Sequence, residues 1–246
     1  VPVPETLDWD RWLGQAPETP YIPQRCHGTF RWWYEYSGGK LTDWGAHHID
    51  IAQWGLGAER TGPVSVAGTG VMDTRPDCYN TAQTFDCSLT FANGNTLAVS
   101  HGPGNGILFE GERGWVYVDR GAFRHDLGDA MPDAAQLAEE VAQLYRGALP
   151  IADAEIGSPE SEGGNAWDLV KLNHMGNFVN CLRDGGTPIA DVESVHRTVS
   201  TCHLCNIAMR IGRPLTWDPD KEDFVGDAEA SAMVARQQRA PYTVRG

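Results

Sequence analysis

Between residues 63 and 121 the chain carries five runs in which apolar and polar residues alternate: "PVSVAGTGVM", "TAQTFDCSLTF", "NTLAVSHG", "GILFEG" and "GWVYVDRG". A period of two sends successive side chains to opposite faces, so each run reads as a half-buried β-strand. Gly, Pro and the hairpin-type pair Asn93-Gly94 separate them. No helical segment lies between the runs, and parallel neighbours need a long crossover that is usually a helix, so the strands call for an antiparallel or mixed sheet. Two segments of helical period follow, Ala166 to Arg183 ended by Gly185-Gly186, and Val192 to Ile211 ended by Gly212 and Pro214. Clustered strands followed by clustered helices define an α+β chain: an open, mostly antiparallel or mixed sheet with helices packed on one face.

The rest of the chain arranges itself around that centre. Residues 1–40 are rich in Pro, Trp and Tyr without a steady period, and read as an extended arm anchored by aromatics, with "LDWDRWLG" its one helical turn. From Thr42 to Leu56 apolar and polar residues recur every three to four, and Gly55 and Gly57 end the pattern; this is a helix with Thr42 as its expected N-cap. Residues 41–124 thus hold this helix and the sheet. Residues 125–163, rich in Ala, Asp and Pro, read as a surface excursion with a helix at 134–146. Residues 164–216 hold the two long helices and a last strand, and 217–246 form a tail. At 246 residues the whole is expected to be one domain.

Charge and composition exclude several classes of partner. With 19 Lys and Arg against 33 Asp and Glu, the formal charge of −14 and the lack of a basic cluster disfavour nucleic acids and anionic membrane surfaces. No apolar run is long enough to span a bilayer, and the first residues lack the basic and apolar regions of a leader. The start at Val1 reads as that of a processed or partial product. The six cysteines read mostly as free thiols, since a chain with this much apolar residue needs no staples. The Cys202-His203-Leu204-Cys205 spacing falls within a helical run without a second pair, so no metal site is expected there.

The stretch "GGKLTDWGAHHIDIAQWGLG", residues 38–57, concentrates the reactive side chains. Steps of three and four return to one helical face, which aligns Asp43, His47, Asp50 and Trp54 and sends His48 elsewhere. A carboxylate one turn from an imidazole can hold its tautomer and raise its basicity, as a general base requires. The bland alternative is a helix N-terminus that favours Asp43, with His47 a satisfied polar residue under the sheet. Just upstream, "RCHGTFRWWYEYSGGK" supplies Arg25, His27, Arg31, Tyr34, Glu35, Tyr36 and Lys40. Aromatic faces with a few hydrogen-bonding groups suit a polyhydroxylated ligand. Asp43 and His47 are therefore expected to line a cleft at the sheet edge with Arg31, Tyr34 or Tyr36 beside them.

These same residues, preceded by "DWDRWLGQAP" and "FRWWYEY" and followed by "FEGERGWVYVDRG" and "CHLCNIAMRIGRPLTWDP", resemble the C-terminal domain of the Gfo/Idh/MocA oxidoreductases, over nearly the whole chain. The nearest likeness is to the bacterial glucose–fructose oxidoreductase-like and inositol dehydrogenase-like subgroup. The resemblance implies an NAD(P)-dependent oxidoreductase acting on a hydroxyl of a sugar, cyclitol or related polyol. It matches Asp43 and His47 to the catalytic pair that removes the hydroxyl proton, and Asp50 to a supporting position. Arg31, Tyr34, Tyr36, Lys40 and His48 become candidate substrate contacts. The resemblance also implies a homo-oligomer joined through the open sheet. It puts the NAD or NADP site and the third catalytic residue, a lysine, in an N-terminal Rossmann domain. No strand here runs through G-x-G-x-x-G into a helix: "GTGVMD" lacks the third glycine and "GPGNG" leads into another strand. The chain is thus expected to be part of a two-domain dehydrogenase and inactive alone. A cytoplasmic location is implied, or a periplasmic one by way of a removed leader. The competing readings are an NAD-dependent glycoside hydrolase or lyase of the same family, and a non-enzymatic scaffold without a nucleotide domain.

Overall fold

The computed structural model describes residues 1–102, 104–119, 122–128, 136 and 166–244, and for 166–173 the backbone alone. The expected helix at 134–146 and most of the surface excursion lie outside them. The chain divides into two compact units, Val1–Ile107 with His196–Gly246, and Leu108–Val195.

The first unit is built on a five-stranded sheet. Strands β1 (Ser65–Met72), β2 (Ala82–Thr90) and β3 (Thr96–Ser100) are the first three alternating runs. β7 (Leu215–Asp218) and β8 (Asp223–Phe224) complete the order β3-β2-β1-β7-β8, with antiparallel pairing throughout. Residue 217 is therefore not where a tail begins: Trp217 sits in a strand and is buried. In β2 the side chains of Phe85, Cys87 and Leu89 point inward, while Thr84, Asp86 and Ser88 are exposed. The alternation breaks at Gln83, where the register slips between Val71 and Met72, a β-bulge that period counting does not see.

The inner face is covered by a long helix, Val192–Ile211. Its residues Leu204, Cys205, Ile207, Ala208 and Met209 form one buried cluster with Val66, Phe85, Cys87 and Leu89. Burying each of the larger side chains contributes about 1.5–3 kcal/mol, and that contribution drives the helix onto the sheet. The glycines of "GTG" in β1 are explained here. A Cβ on Gly68 would stand 2.7 Å from Cys87 Sγ, and one on Gly70 would run into Met209 Sδ. They let the helix approach the strand closely.

The short helix α1 (Trp9–Leu13) is capped by Asp8, whose carboxylate accepts from the Arg11 N–H at 3.1 Å. Around it the arm is pinned by its aromatics. Trp9 donates to Thr19 O, Trp33 donates to Gln24 O, and Trp9 stacks on Trp12 at 4.8 Å. The arm is not extended throughout, since 3₁₀ turns span Pro23–Arg25, His27–Trp32 and Gly39–Leu41. The C-terminal residues tie back to it through Arg239 and Tyr242, both bonded to the Asp10 carboxylate.

The second unit holds a separate sheet of β4 (Ile107–Gly111), β5 (Gly114–Val118) and β6 (Phe123–His125), and a helix, Ala166–Asp184. The fourth and fifth runs are thus strands, as their alternation predicts, but in a sheet of their own. Among the described residues the longer α-helical elements are, in chain order, α1, α2 (Trp44–Gly55), α3 (Ala166–Asp184), α4 (Val192–Ile211) and α5 (Ala228–Ser231).

Candidate active site

The sequence places the reactive cluster on α2, and the turn before it decides how that helix starts. Gly39 adopts φ +69°, and a Cβ there would lie 2.5 Å from Thr81 Cβ, so both conformation and space require glycine. Its carbonyl accepts from the N–H groups of Thr42 and Asp43, each at 3.1 Å. Thr42 is consequently not the N-cap. Its hydroxyl accepts from the Gly38 N–H at 3.0 Å and lies 3.2 Å from the Gly39 carbonyl, while Asp43 occupies the cap position without using its side chain as a cap.

That side chain is taken by Arg31. The guanidinium donates from Nη1 to Asp43 Oδ2 at 2.7 Å, and its Nε is anchored on Gly28 O at 2.8 Å. Both side chains are about one-third exposed, 37% and 30%, so the pair is a partly solvated clamp that orients the carboxylate more than it stabilises the fold. Just before Arg31, His27 holds φ +51°, a conformation disfavoured for any side chain with a Cβ.

The expected stripe of Asp43, His47, Asp50 and Trp54 divides in the structure. Asp50 accepts from the Thr198 hydroxyl at 2.8 Å and fastens α2 to α4. The exposed face is instead Trp44, His47, Ile51 and Trp54, opposite the buried Ile49, Ala52 and Gln53. The cause is phase: with Ile49, Ala52 and Gln53 committed to the interior, the centre of the outer face falls one residue later than side-chain polarity suggests. His47 is therefore not sealed in an apolar core. Its ring lies 6.1 Å from that of Trp44, edge to face, and His48 lies 6.2 Å from the same ring. Lys40, at the turn, donates from Nζ to His101 Nε2 at 2.9 Å.

Tyr34 and Tyr36 are committed elsewhere. The guanidinium groups of Arg210 and Arg236 lie over the Tyr34 ring at 3.6 and 4.5 Å. Tyr36 accepts from Arg25 at 3.1 Å, shares a hydrogen bond with Thr19, and meets Trp12 edge-on. Buried Arg25 stacks on Trp33 at 4.0 Å. Burial alone would lower its pKa, but its bonds to Tyr36 and Glu35 outweigh that and raise it. For Glu35, burial pushes upward, yet hydrogen bonds from Asn80 and Arg25 leave the carboxyl below its usual range. Both tyrosines line a cavity of about 570 Å³ with Thr42, His203, Trp217 and Arg236, and none of Arg31, Asp43 or His47 lines it. Burial, with help from Arg236, lowers the His203 pKa, which favours the neutral ring. The structure thus pairs Arg31 with Asp43 at the helix start, sets His47 beside Trp44 one turn on, holds Lys40 on His101 at the preceding turn, and commits Tyr34 and Tyr36 to arginine partners.

His101 is the residue that sequence reasoning missed. It stands 61 positions from Lys40, at the end of the run "NTLAVSHG", and only the pairing of β3 with β2 carries it to the turn.

Fold and site together define an α+β domain with a polar helix start beside an antiparallel sheet. The chain belongs to the Gfo/Idh/MocA family: residues 1–148 and 170–244 match its model described as "Oxidoreductase family, C-terminal alpha/beta domain". No curated protein matches the sequence. Among solved structures the chain resembles an aldose-aldose oxidoreductase from Caulobacter crescentus complexed with glycerol, at 21% identity and TM-score 0.50, covering 77% of this chain and 51% of that one. It resembles the WlbA dehydrogenase of Chromobactrium violaceum in complex with NADH and UDP-GlcNAcA at 17% identity and TM-score 0.53, with 78% and 49% covered. A levoglucosan dehydrogenase in complex with NADH and levoglucosan matches at 16% identity and TM-score 0.50, with 78% and 54% covered. The chain spans about half the length of these structures, and at such identities the likeness speaks to the fold. No described helix is long and apolar enough to cross a membrane.

Proposed function

We propose that this chain is the substrate-side domain of an NAD(P)-dependent oxidoreductase acting on a hydroxyl of a sugar, cyclitol or related polyol, with Asp43 and His47 handling the hydroxyl proton. The observation that carries the reading is His47, an exposed imidazole beside the exposed ring of Trp44, one turn from a carboxylate held by Arg31. An indole face packs against the C–H face of a sugar ring, which places a hydroxyl within reach of the imidazole. Proton removal by a positioned His contributes about 10²–10⁴-fold in rate. Arg31 acts as a positioning residue, Asp50 supports the helix through Thr198, and His48 lies on the flank of the same face.

The nicotinamide supplies hydride acceptance, and the described residues contain no dinucleotide-binding turn for it. That half of the reaction is therefore assigned to a separate nucleotide-binding domain, and no hydride step is derived from this chain. The outer face of the five-stranded sheet exposes Thr69, Val71, Thr84, Asp86, Ser88, Thr96 and Ala98, mostly short side chains, and we propose it as the surface through which copies associate.

The test is nicotinamide reduction by the full-length protein over a panel of sugars, cyclitols and glycosides. With an active polyol, His47→Asn is expected to lower kcat at least about 100-fold while nucleotide affinity is kept. Wild-type turnover in the variant refutes the assignment. Release of free sugar from a glycoside without net nicotinamide reduction selects a hydrolase or lyase instead.

A further inference from the structure

We propose that Lys40 and His101 form an anion-recognising pair at the turn that leads into the helix of Asp43 and His47, so that the polyol taken at this site carries a carboxylate. The inference rests on the polyol reading above and narrows it to sugar acids.

It begins with charge. The chain carries a formal charge of −14, yet from residue 25 to 48 the cations Arg25, Arg31 and Lys40, with His27, His47 and His48, face only Glu35 and Asp43. Most of these charges are already matched. Arg25 is buried against Glu35 and Asp77, and Arg31 is paired with Asp43. Asp50 is bonded to Thr198. Lys40 differs, because among the described residues its polar partner is an imidazole nitrogen, 2.9 Å away. A neutral ring accepts a hydrogen bond from an ammonium group without cancelling its charge, so the positive field at this turn stays open to an anion.

Position and chemistry agree with that role. The 3₁₀ turn Gly39–Leu41 packs against both α2 and the 3₁₀ turn His27–Trp32 that bears Arg31, which sets Lys40 at the same helix start as Asp43. The His101 ring is held from below by Phe85, at 5.6 Å, and its backbone N–H donates to Phe85 O at 2.8 Å, so the strand fixes its place. The ammonium has three donors, of which His101 Nε2 takes one, so the other two remain for the oxygens of a carboxylate. A hydroxymethyl group offers the ammonium one neutral acceptor and forms the weaker, uncharged hydrogen bond. A charge-assisted contact of this kind corresponds to about a tenfold or larger preference.

The experiment compares binding of D-glucuronate and D-glucose, which differ at the terminal carbon, to the full-length protein by calorimetry, with acetate as a probe bearing the anion alone. Wild type is expected to bind glucuronate at least about tenfold more tightly than glucose. Lys40→Met should remove the preference, Lys40→Arg should restore it, and acetate should shift the His101 ring resonances in wild type but not in Lys40→Met. Equal affinities in wild type, or a preference that survives Lys40→Met, overturn the inference. If glucose binds and is weakened by His47→Asn while glucuronate gains nothing, the polyol reading stands and the anion pair falls. If acetate shifts His101 in a Lys40-dependent way and neither sugar binds, the pair stands and the polyol reading falls.

Discussion

Replacing Gly39 by Ala tests the geometry on which the site depends. An L-residue held at φ +69° costs about 1–2 kcal/mol. The new Cβ would meet Thr81 Cβ at 2.5 Å and Oγ1 at 2.6 Å, and Thr81 is itself buried, so overpacking adds about 1–3 kcal/mol. The smaller entropy of the unfolded Ala chain offsets about 0.4–1 kcal/mol, leaving a net loss of about 1–5 kcal/mol. Urea denaturation at constant m-value should register this as a lower midpoint. The two causes separate in a double-mutant cycle with Thr81→Gly, which removes the clash and leaves the dihedral cost. A coupling energy of about 1–3 kcal/mol is expected. Because the Gly39 carbonyl accepts from the Asp43 N–H, Gly39→Ala should also loosen the Arg31–Asp43 clamp and, on the proposed reading, reduce turnover beyond its effect on folding. A neutral Gly39→Ala, or zero coupling with Thr81→Gly, would refute the account of this turn.

Thr198→Val keeps the shape of the side chain but removes the hydroxyl that serves Asp50. Thermal unfolding should show a loss of about 1–3 kcal/mol, with Asp50→Asn milder because its amide oxygen still accepts from Thr198. Cys202 is fully buried, and burial pushes its thiol up to about 12, from the usual 9.0. Cys205 is raised too, by its hydrogen bond with Cys87 and by burial. Both are protonated in the folded state where the unfolded thiols ionise. The Cys202 contribution is therefore intact below pH 9 and declines by about 1.4 kcal/mol per pH unit as pH rises from about 9 toward 12. Alanine at Cys202 should flatten the alkaline limb of stability against pH, and an unchanged slope counts against the burial argument. In native protein at neutral pH, alkylation followed by mass spectrometry should label Cys78 and Cys181, which are partly exposed, well before Cys87, Cys202 and Cys205.

Local periodicity determined much of this protein. The alternation of "TFDCSLTF" specified which side of β2 faces the interior, and glycines at the helix ends located α4 with its observed bounds, because period and termination are properties of neighbouring residues. That Asp43, His47 and Asp50 belong to one helix and its N-cap was likewise legible. Which of those side chains faces solvent was not. Polarity aligned Asp43, His47, Asp50 and Trp54, whereas packing of Ile49, Ala52 and Gln53 turned the outer face to Trp44, His47, Ile51 and Trp54, and Thr198, 148 residues away, claimed Asp50. Tyr34 and Tyr36 looked like ligand contacts by their position in the chain. Arg210, Arg236 and Arg25 hold them in the structure, as cations brought from distant segments onto their rings or hydroxyl. The fourth and fifth strands left for a sheet of their own, and His101 came to Lys40 through strand pairing. Spacing along the chain dictates the elements and the order of reactive groups on each. Partners brought together from far apart in sequence are selected by burial and charge matching, which exist only once the chain has folded.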